Sequence, residues 1–301
     1  MKAIRVLKVG VFVAGYFGLL LGCSSQSAAP VAGNAKPAQD ELADHSHAGH
    51  DKHTDGKHDT GHAGHGGAAA QLIVSTQPDK PEPGSKTMLQ MMVHDAAGKM
   101  VKDFEVTHEK LAHFIVVSKS LAEFAHLHPD VDASGNMKVE HTFPTGGEYL
   151  LFLDYKPASG PAATAKAKIG VAGDAPEAQQ LQVNVPGTVK STPGGMRAKV
   201  SLNKASDGSV ASFDITDEEG QAITDLQPYL GAMGHLVVIS ADGDRYAHSH
   251  PLTEEPGTSQ VKFEVHFPGP GLYKMWGQFQ RDGKVFTVPA VVQVENGSDP
   301  Q

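Results

Sequence analysis

The sequence predicts an all-β protein built as two tandem β-sandwich domains, and three observations predict it. β-Branched and aromatic runs of four to eight residues recur along residues 71–296, each closed by Gly, Asp or Pro turns. No stretch among them carries the apolar spacing of a convincing amphipathic helix. The chain also repeats itself. Asp95-Ala96-Ala97-Gly98 is followed by His113-Phe114-Ile115-Val116-Val117-Ser118, Phe124-Ala125-His126-Leu127-His128-Pro129, Phe143-Pro144, Gly147 and Tyr149. Asp217-Glu218-Glu219-Gly220 is followed by His235-Leu236-Val237-Val238-Ile239-Ser240, Tyr246-Ala247-His248-Ser249-His250-Pro251, Phe267-Pro268, Gly271 and Tyr273. The interval from glycine to the first histidine, and from that histidine to the pair, is the same in both copies. A unit this long with turns inside it is a domain, not a solenoid repeat.

The strands expected of the first copy are Leu72–Gln77, Met88–Asp95, His113–Ser118, Phe124–His128, Lys138–Phe143 and Glu148–Tyr155. A last strand and the linker fall within Pro157–Gln180. The second copy offers Gln182–Val185, Arg197–Asn203, Ser209–Asp217, His235–Ser240, Tyr246–His250, Gln260–Phe267, Gly271–Gln280 and Val285–Val294. Many short strands of this kind read as sandwiches of immunoglobulin-like or cupredoxin-like type. The domains are accordingly placed at 71–173 and 181–296, with a linker at 174–180 and a tail at 297–301.

Lys2, Arg5 and Lys8 precede an apolar run from Val9 to Leu21, which has the layout of a secretory leader over residues 1–22. The run is ~13 residues, short of the ~20 that a spanning helix needs. Leu20-Leu21-Gly22-Cys23 at its end resembles the bacterial lipobox, and the resemblance implies cleavage before Cys23, the chain's one cysteine, and a lipid on its sulfur. Ser24 stands where the sorting rule of that family places Asp for inner-membrane retention, so the expected location is the bacterial cell envelope at the outer membrane. Residues 23–70 hold almost no large apolar side chain and are expected to form a disordered tether. A flexible segment of that length spans ~40 Å.

Composition excludes several function classes. A formal charge of −9 without a Lys/Arg-rich patch argues against a nucleic-acid partner. With one cysteine, neither a disulfide framework nor a thiolate cage is available, whereas 17 histidines favour imidazole as the ligand for metal. There is no serine nucleophile elbow, phosphate loop or nucleotide fingerprint, and no enzymatic activity is expected.

Two constellations carry chemistry. Residues i and i+2 of a strand share a face, so His126 with His128, and His248 with His250, can converge on one ion. If adjoining strands pair as hairpins, His113 and His235 swing beside their pairs and complete three-imidazole sites suited to Zn or Cu. One ion per sandwich is the expected outcome, with Met233 a candidate soft ligand in the second copy. The other constellation is His45, His47, His50, His53, His58, His62 and His65, interleaved with Asp44, Asp51, Asp55 and Asp59. Imidazoles at such spacing in a flexible chain bind Zn, Ni or Cu with capacity but little selectivity.

Weaker features read as structure. Asp130-Val131-Asp132-Ala133-Ser134-Gly135 opens like a calcium loop, but His141 holds the twelfth position, so a turn is expected. Phe-Pro-x-x-Gly-x-Tyr in both copies reads as a corner in which Tyr149 and Tyr273 bond to backbone. Trp276 reads as core. His94, His108, His141 and His266 have no counterparts at matching offsets and read as ordinary residues.

At Gly234–Ser240, His248–Pro251 and Phe267–Phe279 the second copy resembles YtkA-like sandwich domains of the bacterial envelope, and the first copy does so more loosely. That resemblance implies a sandwich in a copper or heavy-metal handling context. The expected function is a membrane-anchored lipoprotein that buffers, scavenges or delivers Cu or Zn, with a metal-efflux or metal-delivery protein as partner. The alternatives are a copper redox enzyme of superoxide-dismutase type, which the His-x-His on a sandwich resembles, and an adhesion or scaffold module whose histidines are structural.

Overall fold

The computed structural model describes residues 70–177, 180–184, 189–192, 195–205, 208–252 and 256–295. Cys23 and the tract from His45 to His65 lie outside the described residues. In the first repeat the strands are β1 (Gln71–Gln77), β2 (Lys86–His94), β3 (Phe104–Glu105), β4 (Ala112–Ser118), β5 (Phe124–Leu127), β6 (Asp130–Val131), β7 (Met137–Thr142), β8 (Gly147–Pro157) and β9 (Ala163–Val171). In the second they are β10 (Val189–Ser191), β11 (Arg197–Lys204), β12 (Ser209–Thr216), β13 (His235–Ser240), β14 (Tyr246–Ser249), β15 (Gln260–Val265), β16 (Gly271–Arg281) and β17 (Lys284–Val294). Among the described residues no helix is long and apolar enough to cross a membrane.

Both repeats fold as immunoglobulin-like sandwiches. In the first, the layer β5-β4-β8-β9 faces the layer β1-β2-β7-β6, and the two join where β1 runs parallel to β9 at Gln71 and Lys166. In the second, β14-β13-β16-β17 faces β10-β11-β12-β15. Strands β1, β2, β4, β5, β7, β8 and β9 thus correspond to β11 through β17, with one connectivity in both copies. Each sandwich fills its interior from alternate positions. In β2 these are Leu89, Met91 and Val93, joined by Phe114, Phe143 and Tyr149; the second core gathers Phe213, Phe263, Phe279 and Met275 among others.

Strands β4 and β13 break this alternation, because every residue in them is buried. Phe114 and Val116 point into the first core and Leu236 and Val238 into the second. Ile115 and Val117 instead meet Val237 and Ile239 in a third apolar cluster, which also contains Leu121, Leu150, Phe152 and Trp276. That cluster packs the β5-β4-β8-β9 layer of one sandwich against the β14-β13-β16-β17 layer of the other. Phe124 stacks on Trp276 with ring centroids 4.8 Å apart, and Tyr246 stacks on Phe152 at 4.5 Å. The contacts are reciprocal, as in a two-fold interface. At its margin Lys119 Nζ donates to the Asp242 carbonyl at 3.0 Å and Lys274 Nζ to the Leu121 carbonyl at 2.6 Å.

The corner and turn expectations agree with the structure. Tyr149 donates its hydroxyl to the Thr145 carbonyl at 3.0 Å, and Tyr273 donates to the Gly269 carbonyl at 2.8 Å. Asp132 Oδ1 accepts from the backbone of Ser134 and Asn136, closing a tight turn between β6 and β7. One strand expectation needs correction. Gln182, Val183 and Asn184 lie outside any strand; the Asn184 amide alone reaches the Val291 carbonyl, at 2.8 Å. Trp276 is buried core as expected, in the cluster between the domains.

Candidate metal centre between the domains

The side chains that follow the outward face of β4 and β13 decide where the histidines go. His113 shares the face of Ile115 and Val117, and His235 that of Val237 and Ile239. Hairpin pairing sets Ile115 opposite His126 and Val237 opposite His248, so each pair folds back beside its first histidine. Two triads result, His113 with His126 and His128, and His235 with His248 and His250. In each, one ring nitrogen from every residue lies within 4.8 Å of the other two.

The triads are not separate. The His113 and His235 rings stand 6.1 Å apart, His126 and His248 5.2 Å, and His113 and His248 5.6 Å. Each sandwich holds one triad, and the two triads adjoin across the interface between them. The outward faces of the two sandwiches pack on each other and bring six imidazoles into one part-buried cluster. The expectation for Met233 is corrected: its side chain packs in the second core.

Hydrogen bonds fix which nitrogen is available in four of the six rings. His113 donates Nε2–H to the Thr107 carbonyl at 3.0 Å, and His235 donates Nε2–H to the Tyr229 carbonyl at 2.8 Å. A carbonyl only accepts, so the Nδ1 of both neutral rings carries a lone pair. His126 donates Nδ1–H across the interface to Gln278 Oε1 at 2.7 Å, and His248 donates Nδ1–H across it to Asp154 Oδ2 at 3.0 Å. Their Nε2 atoms are then the acceptors. His113 Nδ1 and His126 Nε2 lie 3.1 Å apart, and with these tautomers their lone pairs face each other. His128 Nε2, His235 Nδ1, His248 Nε2 and His250 Nε2 are buried without a hydrogen-bond partner. Each such buried polar atom costs about 1–3 kcal/mol unless something binds it. A cation shared among the lone pairs meets all of these demands, and neutral nitrogens held by carbonyl, carboxamide or carboxylate are the donor set that Zn and Cu take.

The rings are kept neutral. Burial holds His126, His128 and His235 down to about 3, with the neighbouring imidazoles adding to the effect. Burial also lowers His113, His248 and His250. Asp154 is pushed up by burial, against the donors Thr164 and Tyr246 that favour its charged form.

Three functional neighbours escape the sequence reading. Asp154 and Gln278 lie opposite His113 and His235 in the β4·β8 and β13·β16 ladders, yet each serves the other domain's histidine. His108, read as an ordinary residue, stacks on His250 with centroids 3.5 Å apart and planes 17° from parallel. Its counterpart in the second copy is Leu230, which removes the repeat signal. His266, also read as ordinary, lines a cleft of about 150 Å³ with His108, Asp154, Tyr246, His248 and His250. His141 packs edge-on against Phe143, away from the cluster.

Fold and site together define a tandem β-sandwich protein with a histidine cluster shared between its two domains. A family profile described as "Domain of unknown function (DUF8832)" matches residues 68–173 and again residues 191–296, more than half of the chain. The chain belongs to that family and carries its domain twice. No curated protein matches it. Among solved structures, the tetra-tandem repeat in the extending region of a large adhesion protein is similar at 13% identity and TM-score 0.25, over 75% of this chain and 50% of its own. InvD of Yersinia pseudotuberculosis is similar at 15% identity and TM-score 0.24, over 75% and 58%. A two-domain fibronectin type-III segment of chicken tenascin is similar at 14% identity and TM-score 0.22, over 74% and 98%. The chain spans about half the length of the first two. Overlaps of that extent carry nothing about what this chain binds.

Proposed function

We propose that this chain is a lipid-anchored protein of the bacterial envelope that binds transition-metal ions, Cu or Zn, in the interdomain histidine cluster. One observation carries the reading: six imidazoles, four tied through their other nitrogen to a fixed acceptor, turn their lone pairs on one another in a buried space. Purely structural histidines would pair those nitrogens instead of leaving them to face each other. The envelope location, at the outer membrane, rests on the leader and on Cys23 as a lipidation site. The YtkA-like resemblance at His248–Pro251 supports a copper or heavy-metal context, and the tract from His45 to His65 would gather ions for the cluster. Buffering, scavenging or delivery to a metal-handling partner needs no turnover, and no enzymatic activity is assigned.

The test is calorimetric titration with Zn(II), and with Cu(I) under reducing conditions, of the full chain in which the seven tract histidines are replaced by serine. Two ions per chain are expected, and one of them is lost when His126 and His128, or His248 and His250, become alanine. Absence of uptake in the tract-replaced chain would leave the sandwiches as scaffold. Superoxide turnover by the copper-loaded chain would make it an enzyme.

A further inference from the structure

We infer that the two triads are unequal, with His235, His248 and His250 forming the tighter site for a divalent cation. This rests on the reading that both triads bind metal. The repeat gives nearly every group at the cluster a counterpart: His113 and His235, His126 and His248, His128 and His250, and the carbonyls of Thr107 and Tyr229. The symmetry breaks at several positions, and two of the breaks act directly on the second triad.

The first is the partner that orients the middle histidine. His248 donates to a carboxylate, Asp154, where His126 donates to a carboxamide, Gln278. Both fix the ring, but only the carboxylate places negative charge one imidazole away from the ion and raises the basicity of Nε2. Asp154 is itself held in place, because Thr164 Oγ1 donates to it at 2.6 Å and the Tyr246 hydroxyl donates to the oxygen that His248 uses. With its charge held by those two donors, Asp154 offsets a dication from the side of His248.

The second break is His108. It occupies a tight turn with φ of +48°, followed by Glu109 at +64°, where the second copy places Leu230 and Gly231 at +54° and +74°. The turn shape is common to both, yet the first copy builds it without glycine and so accepts backbone strain to set an imidazole on His250. The adjoining cleft is lined by His248 and His250 of the second triad but by His113 alone of the first. Charge, an extra ring and access thus converge on the second triad. A dication draws more from Asp154 than a monocation does, so the inequality is wider for Zn(II) than for Cu(I).

Zn(II) titration of the tract-replaced full chain reads this directly. Two single-ion steps are expected, the first tighter by roughly 10–100-fold. Asp154→Asn keeps an acceptor for His248 and removes the charge, so it should weaken the first step by about that factor and bring the two together, with less effect on Cu(I). Gln278→Glu should strengthen the second step. Two steps that neither variant moves, or a first step assigned to His126 and His128 by their alanine variants, would overturn the inequality while leaving metal binding intact. No uptake by the parent chain would instead remove the metal reading on which this one stands.

Discussion

His126 and His235 show what enclosure does to an imidazole. Each is held neutral in the fold with its pKa near 3, while the unfolded chain protonates at about 6.5. Between those values the unfolded state binds the extra proton, so folding stability is intact above pH ~6.5 and falls as pH drops toward 3. Each of these two rings contributes a slope of about 1.4 kcal/mol per pH unit within that window. Urea unfolding followed from pH 7.5 to 4.5 should show this acid loss, and His235→Gln should flatten it by about one proton. A pH-independent midpoint would mean that the rings are solvated. What the sequence displays at this scale is the repeated triad, because equal spacing in two diverged copies is visible without coordinates. Asp154, Gln278 and His108 stayed hidden for definable reasons: the first two act across an interface that no local pattern encodes, and the third pairs with a leucine in the other copy.

Among the elements, β4 and β13 carry the most information. The strands themselves were legible from β-branched runs and Gly, Asp and Pro turns, to within a residue or two at most boundaries. The very short β3, β6 and β10 were not, since two or three residues hold no period. The docking face was written in the chain as well: Phe114-Ile115-Val116-Val117 and Leu236-Val237-Val238-Ile239 are continuous apolar runs, and a strand that keeps one face in water alternates instead. Such a run requires a second partner for its outer face, which is here the other sandwich. Trp276, 3% exposed and stacked on Phe124, is the largest side chain committed to that contact. Trp276→Ala should cost about 3–5 kcal/mol in denaturant unfolding and loosen the cluster that Gln278, two residues on, helps to orient. A loss below 1 kcal/mol would show that the packed face contributes little to the fold.

For the molecule as a whole, duplication has set two histidine triads against each other across one interface. All three histidines of a triad come from a single sandwich, so either domain alone holds a ligand set. The group that aims His126 or His248 comes only from the other domain, and docking is therefore what sets the rings for an ion. Ile115→Asp with Val237→Asp places charges on the two outer faces and leaves the inner faces, Phe114 with Val116 and Leu236 with Val238, untouched. Separated in this way, each sandwich should keep its β-type circular dichroism while a single thermal transition becomes two. Zn(II) affinity at both triads should fall by roughly 10–100-fold, the cost of losing orienting partners. If the undocked chain still bound two ions with undiminished affinity, each triad would be a self-sufficient site, as the sequence taken one repeat at a time implies, and the interface would serve packing alone. Metal should conversely resist undocking: an ion at a hundred times its dissociation constant adds about 2.7 kcal/mol to the bound state. The undocking midpoint of the native chain should rise with Zn(II) concentration by that logarithmic law, and a midpoint indifferent to metal would uncouple the cluster from the domain interface.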